Sequence, residues 1–441
     1  MTTFLINVAV ISLGCPKNQV DCEHMLKLIE EGGCKIINDE SMADVIIINT
    51  CCFIDDAKQE SINTILEAAR RKTEGKCKRI IVSGCLAQRY KDEIIKEMPE
   101  VDCIVGIGHI EDIVSAVKGK CDSIICQKPY SHPTGGRMRF SPSYSAYLKI
   151  ADGCDNRCTY CVIPSIRGPF ASRPEEELIE EAGRLAADGV KELILIAQDT
   201  TSYGIDLYGE ARLVSLLKKL CKVEGLEWIR IMYCYPERIT EELIDTIAGE
   251  DKICKYIDMP IQHCNDDILR KMGRRTTGEQ IEKIIYSIRE KIPQVTLRTT
   301  LITGFPTETD GQYLEMLDFI KKIKFERLGV FAYSREEGTP AAKMKGQIPE
   351  KTKQRRLEML MLAQSEVAGE VSSGKTGKKT KVLTEGYDSP AKQYYGRSEA
   401  DAPEIDGRVF FTSEKAVRSG SFIDVTIESA ADYDLFGKAG D

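Results

Sequence analysis

A chain of 441 residues is too long for one ordinary hydrophobic core, so two or three domains are expected. Its 42% hydrophobic and 29% charged residues exclude a disordered chain, and 61 Lys and Arg against 69 Asp and Glu, a net charge of −8, exclude bulk nucleic-acid binding. No run approaches the ~18 apolar residues of a membrane span, and the stretch Phe4 to Leu13 lacks a preceding cationic segment and a cleavage pattern, so a cytoplasmic protein with no membrane partner is expected.

From the start to about Lys128, short apolar runs alternate with amphipathic stretches. Val8 to Ser12, Val45 to Asn49, Ile80 to Ser83 and Cys103 to Val105 predict the strands of a βα-alternating parallel sheet over residues 1–126. Gln127 to Pro142, with three prolines and two glycines, predicts a linker. A second βα series, over residues 143–372, has candidate strands at Ala146 to Ile150, Leu193 to Ala197, Trp228 to Met232, Tyr256 to Asp258, Thr296 to Ile302 and Leu328 to Tyr333. Six such repeats predict an incomplete (β/α)6 barrel with functional groups at the C-terminal strand ends. A charged helix from about Glu350 to Val371 and the basic run Lys375 to Lys381 lead into residues 373–441, where Lys381 to Thr384, Arg408 to Phe411 and Phe422 to Ile427 predict a small antiparallel β-barrel. The fold class is α/β with a β-barrel appended.

Seventeen cysteines in a chain of this size do not read as a disulfide framework and point to metal or redox chemistry, the plain alternative being that most are buried small hydrophobes. Cys154-x3-Cys158-x2-Cys161, just after the first barrel strand, puts three thiolates on one short loop. That suits a cubane iron-sulfur cluster with one iron left open for a ligand. Zinc would need a partnering Cys or His pair, and none stands nearby in a chain with four His. This spacing, with Tyr160 before the last cysteine, resembles the radical S-adenosylmethionine (SAM) superfamily. The resemblance implies that Cys154, Cys158 and Cys161 hold a 4Fe-4S cluster whose open iron binds SAM, and that an electron passed into the cluster cleaves SAM to a 5′-deoxyadenosyl radical.

Cys15, Cys51 and Cys85 each fall at or just past the end of a predicted strand. A parallel sheet gathers such ends on one edge, where ligand sites form, so the three can converge on a second metal site; on fold logic alone, chance placement is an equal alternative. A flavodoxin-like domain with Gly14-Cys15, Asn49-Thr50-Cys51 and Gly84-Cys85, followed by a radical SAM barrel and a TRAM-like terminal β-barrel, resembles the methylthiotransferases over essentially the whole chain. That resemblance implies a second 4Fe-4S cluster on Cys15, Cys51 and Cys85 that binds or supplies the sulfur to be inserted. The chain departs from the family pattern at Cys22 and Cys52, where Ser and Gly are expected, and at Thr307, where Gly is usual after Gly304-Phe305-Pro306. Cys51 rather than Cys52 is the expected ligand, because it holds the Asn-Thr-Cys position and adjacent residues at a strand end point opposite ways. Gln198 and Arg298 are candidates for the polar end of SAM and Tyr160 for packing near adenine, with structural hydrogen bonding an equal alternative for each. His263 reads as a satisfied strand-end histidine, and no catalytic acid or base is assigned, since hydrogen abstraction by a carbon radical needs none.

Within the methylthiotransferases, the group acting on an aspartate of ribosomal protein S12 is marked by Cys15-Pro16-Lys17-Asn18, a terminal stretch like Tyr395 to Gly407 and an ending like Tyr433-Asp434-Leu435; enzymes acting on tRNA adenosine tend to have Cys-Gln-Met-Asn. The resemblance therefore implies methylthiolation of the β-carbon of an S12 aspartate, giving 3-methylthioaspartate, with a reducing partner such as a flavodoxin or ferredoxin. Residues 382–441 carry six Lys and Arg against twelve Asp and Glu, a net of −6. An acidic barrel suits a basic ribosomal protein, so Glu399, Asp401, Glu404 and Asp406 are expected to steer S12, the bland alternative being a solvated surface. The run Lys375 to Lys381 leaves weak RNA contact open. The alternatives are tRNA adenosine methylthiolation and an iron-sulfur electron carrier without SAM chemistry, the latter disfavoured by six barrel repeats behind an open-iron motif.

Overall fold

The computed structural model describes residues 5–120, 123–124 and 135–440. Val45 to Thr50 is buried at every position, as a parallel strand covered on both faces must be. It is β3 of a parallel sheet comprising β1 (Asn7–Ser12), β2 (Lys35–Ile36), β3 (Val45–Thr50), β4 (Arg79–Gly84), β5 (Cys103–Val105) and β6 (Ser123–Ile124), in the order β2-β1-β3-β4-β5-β6. The first five strands follow the doubly wound 2-1-3-4-5 order, whose ligand crevice lies where the winding reverses, between β1 and β3. Of the expected linker, residues 127–134 lie outside the described residues; in the remainder Arg137 pairs with Glu23 and Glu181, tying it to both neighbouring units.

The second sheet is parallel throughout, with β7 (Ser145–Lys149), β10 (Glu192–Ile196), β11 (Trp228–Ile231), β12 (Ile253–Asp258), β13 (Thr296–Thr303) and β14 (Arg327–Ala332) side by side in chain order and, among the described residues, its two edges unpaired, an open six-strand barrel. Leu193, Leu195, Ile229, Ile231, Leu297 and Leu301 face outward onto the surrounding helices, while Ile194, Ile196, Met232 and Tyr256 line the bore. Between β7 and β10 the short antiparallel pair β8 (Ala151–Asp152) and β9 (Ala171–Ser172) pinches off the loop that carries Cys154, Cys158 and Cys161.

The terminal unit is a closed barrel of β15 (Lys379–Asp388), β16 (Gln393–Ser398), β17 (Val409–Thr412), β18 (Phe422–Ala431) and β19 (Asp434–Ala439). The expectation of an antiparallel barrel is corrected at one seam, where β17 and β19 run parallel. Five strands cannot alternate direction around a closed ring, so one like-directed pair is unavoidable.

All three units meet in one apolar cluster: Val20 from the helix Pro16–Glu31, Ile194, Ile196, Trp228 and Met232 from the barrel, and Leu383 and Ala402 from the terminal unit. Trp228 packs edge-on against Phe422 with ring centroids 4.7 Å apart. The stretch 397–406 therefore covers the bore from the side opposite the cysteine loop, with Ala402 in the apolar cluster, Glu399 on Arg230 and Asp406 on Tyr256, while Glu404 and Ile405 stay exposed.

Candidate active site

The cysteine loop is pinned to the C-terminal ends of the barrel strands. Asn156 donates to Asp199 at 2.8 Å and accepts from Arg238 at 2.9 Å, fixing the loop to segments following β10 and β11. Thr159 donates through its backbone to the Met272 carbonyl and accepts from Ala341, each at 2.9 Å, and the Cys158 sulfur lies 3.0 Å from the Tyr235 hydroxyl. Burial pushes the Cys154 thiol up to about 11 and the Cys161 thiol up to about 12, so these groups stay protonated near neutrality until a metal displaces the protons.

The second set of thiols forms on the crevice edge of the first sheet. Cys15 precedes the helix Pro16–Glu31, Cys51 directly follows β3, and Cys85 opens the helix Cys85–Arg89 after β4. Gly14 has φ +91°, and a Cβ there would lie 2.7 Å from Cys51 Cβ and 3.0 Å from its sulfur, so the loop carrying Cys15 crosses directly over Cys51. Gly84, with φ +89°, lets the turn into Cys85 pass where a Cβ would stand 2.4 Å from the Thr50 carbonyl oxygen. Ser61 brackets Cys51, accepting from or donating to its backbone at 3.0 and 2.8 Å. Cys52 is fully buried in the apolar cluster that holds Ile46, Ile48 and Ile65 and that Cys85 also joins. Burial raises the Cys51 and Cys85 thiols, with Arg167 opposing the rise at both. Among the described residues no three His, Cys, Asp or Glu side chains, either cysteine set included, are gathered closely enough to hold a single metal ion.

A buried ion network joins the two sets. Arg167, six residues beyond Cys161, donates to Asp152 at 2.7 Å, to Asp21 at 3.1 Å and to Asn18 at 3.2 Å, and its NH2 lies 3.8 Å from the Cys85 sulfur. Lys149, on β7, pairs with the same Asp21 and Asp152. Asp21 belongs to the first unit and the other three ions to the barrel, so the network locks the unit bearing Cys15 onto the loop bearing Cys154. Sequence reasoning missed these residues; the available signal was Lys149 closing an otherwise uncharged strand, Ser145 to Lys149.

Gln198 donates to Asp152 at 2.9 Å, one residue short of the Gly153-Cys154 turn, and its Oε1 is buried without a hydrogen-bond partner. Tyr160 packs with Ile268, Met272, Phe305 and Tyr333 beyond the strand ends. Arg298 sits apart from both, deeper in the bore, donating to Asp258 at 2.8 Å and lying 3.8 Å from Asp406 of the terminal unit. His263 accepts from the Cys264 and Asn265 backbone at 3.0 and 2.9 Å, but its Nε2 is buried without a hydrogen-bond partner, 3.6 Å from Glu308, so the expectation of a satisfied histidine holds for one ring nitrogen only.

The acidic terminal stretch is corrected. Asp401 is buried against Arg327 at 2.5 Å, Asp406 accepts from the Tyr256 hydroxyl at 2.7 Å, and Glu399 accepts from Arg230 through its carbonyl at 2.7 Å and from the Lys255 backbone at 3.3 Å. Of the four acids only Glu404 is exposed, so this stretch docks the terminal barrel and is not a steering face.

Comparison with known proteins adds to this geometry. Residues 7–106 match the Uncharacterized protein family UPF0004, 148–320 the Radical SAM superfamily and 376–439 the TRAM domain. The chain is 51% identical over 439 residues to the ribosomal protein uS12 methylthiotransferase RimO of Lachnoclostridium phytofermentans, covering 98% of this chain and 100% of that one. It is 49% identical to the protein of the same name from Acetivibrio thermocellus, covering 98% of each. The chain belongs to the uS12 methylthiotransferase family. Among solved structures, the radical SAM methyltransferase TsrM from Kitasatospora setae, with cobalamin and a 4Fe-4S cluster bound, superposes with a TM-score of 0.57 over 77% of each chain at 15% identity, a likeness of fold. The cofactors of the uS12 methylthiotransferase family, SAM and 4Fe-4S clusters, fit what this chain offers: two sets of three thiols, a glycine-built cradle at Cys51 and an unpartnered Gln198 oxygen beside the Cys154 turn.

Proposed function

We propose that this chain methylthiolates the β-carbon of an aspartate of ribosomal protein S12, giving 3-methylthioaspartate. Cys154, Cys158 and Cys161 hold the cluster that binds SAM, and Cys15, Cys51 and Cys85 hold the cluster that carries the sulfur. Bound there, the reduced cluster and SAM supply radical activation of a C–H bond. Gln198 offers its free oxygen to the polar end of SAM, Tyr160 packs against its adenine side, and Arg298 forms the floor beneath them. The apolar wall of the bore and the stretch 397–406 exclude water, which a reactive carbon radical requires. The observation that supports this reading is the network of Arg167, Asp21, Asp152 and Lys149, which ties the unit bearing Cys15, Cys51 and Cys85 to the strand end that leads into Cys154. Sulfur from one set can then meet a carbon activated at the other. A small electron-transfer protein such as a flavodoxin or ferredoxin is the proposed reductant. Anaerobic incubation of the reconstituted protein with SAM, reductant and either S12 or tRNA, followed by mass spectrometry, tests the reading. A methylthio group on an S12 aspartate is expected; one on tRNA adenosine, with S12 untouched, would replace the substrate.

A further inference from the structure

Burying an ammonium or guanidinium group is unfavourable unless a carboxylate meets it. Among the described residues ten lysines and arginines are buried, and eight have a carboxylate oxygen within salt-bridge distance. The two without one are Lys17 and Arg274, and they stand at the two thiol sets. Arg274 lies over the Tyr235 ring, 3.7 Å from its centroid, and Tyr235 touches Cys158. Lys17 is two residues beyond Cys15; its Nζ donates to the Ala197 carbonyl at 3.3 Å, at the C-terminal end of β10, and lies 3.6 Å from the centre of the Tyr233 ring.

The surroundings of Lys17 are held in place at a cost. Tyr233 has φ +61°, a left-handed conformation that a bulky residue adopts only under constraint. Two hydrogen bonds impose it: the Tyr233 N–H donates to Asp258 at 3.0 Å, and its carbonyl accepts from Thr200 at 3.1 Å. The result is an aromatic face set against the ammonium. An ammonium has three donors, and here one is met by a carbonyl and one side by a ring. No side-chain acid completes the set.

We propose that Lys17 receives the side-chain carboxylate of the substrate aspartate. This rests on the reading of the chain as an S12 methylthiotransferase. A carbon that is to accept sulfur must come between the two thiol sets, and the carboxylate bonded to that carbon comes with it. Two carboxylates then need cations, that of SAM and that of the aspartate. Arg274, on the side of Cys158, is placed for the first, and Lys17, on the side of Cys15, for the second.

The test compares binding of S12 with that of S12 whose target aspartate is changed to asparagine, using full-length reconstituted enzyme under anaerobic conditions. Wild type should bind the aspartate form at least about tenfold more tightly. Lys17→Met should bind both forms alike, and Lys17→Arg should keep most of the preference. A lysine that only braces Tyr233 would, on removal, weaken both forms by one factor and leave their ratio intact. That outcome, or no preference in wild type, overturns the proposal. Should Lys17→Met fail to hold iron, the wild-type complex decides: carbodiimide coupling followed by peptide mass spectrometry should show an amide between Lys17 and the target aspartate, and coupling of that aspartate to another lysine overturns the assignment. If wild type does not modify S12 at all, both readings fall; if it does and Lys17→Met still discriminates, only the role of Lys17 falls.

Discussion

The barrel is gripped from two sides, and the grips differ. On the terminal side, Arg397 and Arg230 share Glu192, and Arg327 meets Asp401. On the cysteine side, Lys149 and Arg167 are matched by Asp21 and Asp152, yet Lys17 and Arg274 are not, and the neighbouring Cys85 and Cys161 thiols are pushed up by burial. A junction that only holds closes its charges on one another. A junction that reacts keeps some open, which is where local rules of polar satisfaction are expected to fail.

The sharpest way to break this contrast is to remove the thiols. Replacing Cys154, Cys158 and Cys161 with Ala should leave about half of the roughly eight irons of two cubanes and abolish SAM cleavage, measured as 5′-deoxyadenosine. The same change at Cys15, Cys51 and Cys85 should leave cleavage intact and stop sulfur insertion. Methylthio product from the second variant would show that one set suffices.

Arg167→Met should cost about 3–5 kcal/mol, because it leaves Lys149 alone facing two buried carboxylates, and a drop in the urea midpoint reads it. A loss below about 1 kcal/mol would mean that the units dock without their ion network. The terminal grip should instead show itself in acid. Burial would raise the Glu192 carboxyl, but Arg397 and Arg230 outweigh that and bring it down to about 2. Its contribution is then complete above the ordinary glutamate value of 4.5 and is lost as pH falls from there toward about 2. Glu192→Gln should flatten that part of the stability-against-pH curve; an unchanged acid limb would count against the pairing.

Smaller effects separate neighbours. Cys51→Ala should lose cluster iron, whereas Cys52→Ala should retain it and cost only about 1 kcal/mol for a small cavity. Glu404→Gln should change stability by less than about 0.5 kcal/mol, being exposed and unpaired.

Strands such as Cys103 to Val105 and Thr296 to Thr303 were legible because apolar runs bounded by turns announce them. β2 and β6, two residues each, carry no such signal. The six candidate ligand cysteines were proposed from spacing, strand ends and family resemblance, and the structure sets Cys15, Cys51 and Cys85 at the ends of neighbouring strands of the first sheet. What sequence could not convey is burial. Asp401 and Asp406 look like solvent-facing acids until Arg327 and Tyr256, some 74 and 150 positions away, are found against them. Lys17 looks like an ordinary surface lysine beside a proline until the Tyr233 ring is found over it. Long-range pairing of polar groups leaves no local periodicity to read.

The stretch from Arg397 to Asp406 covers one end of the bore, with Ala402 in its apolar cluster and Asp406 on Tyr256. With that end covered, the opposite strand ends, where the Cys154 loop stands, are left for a substrate to approach. On the reading proposed above, a protein docked over those strand ends should bind after SAM and leave before the spent fragments, an order that preincubation and product-inhibition kinetics would check.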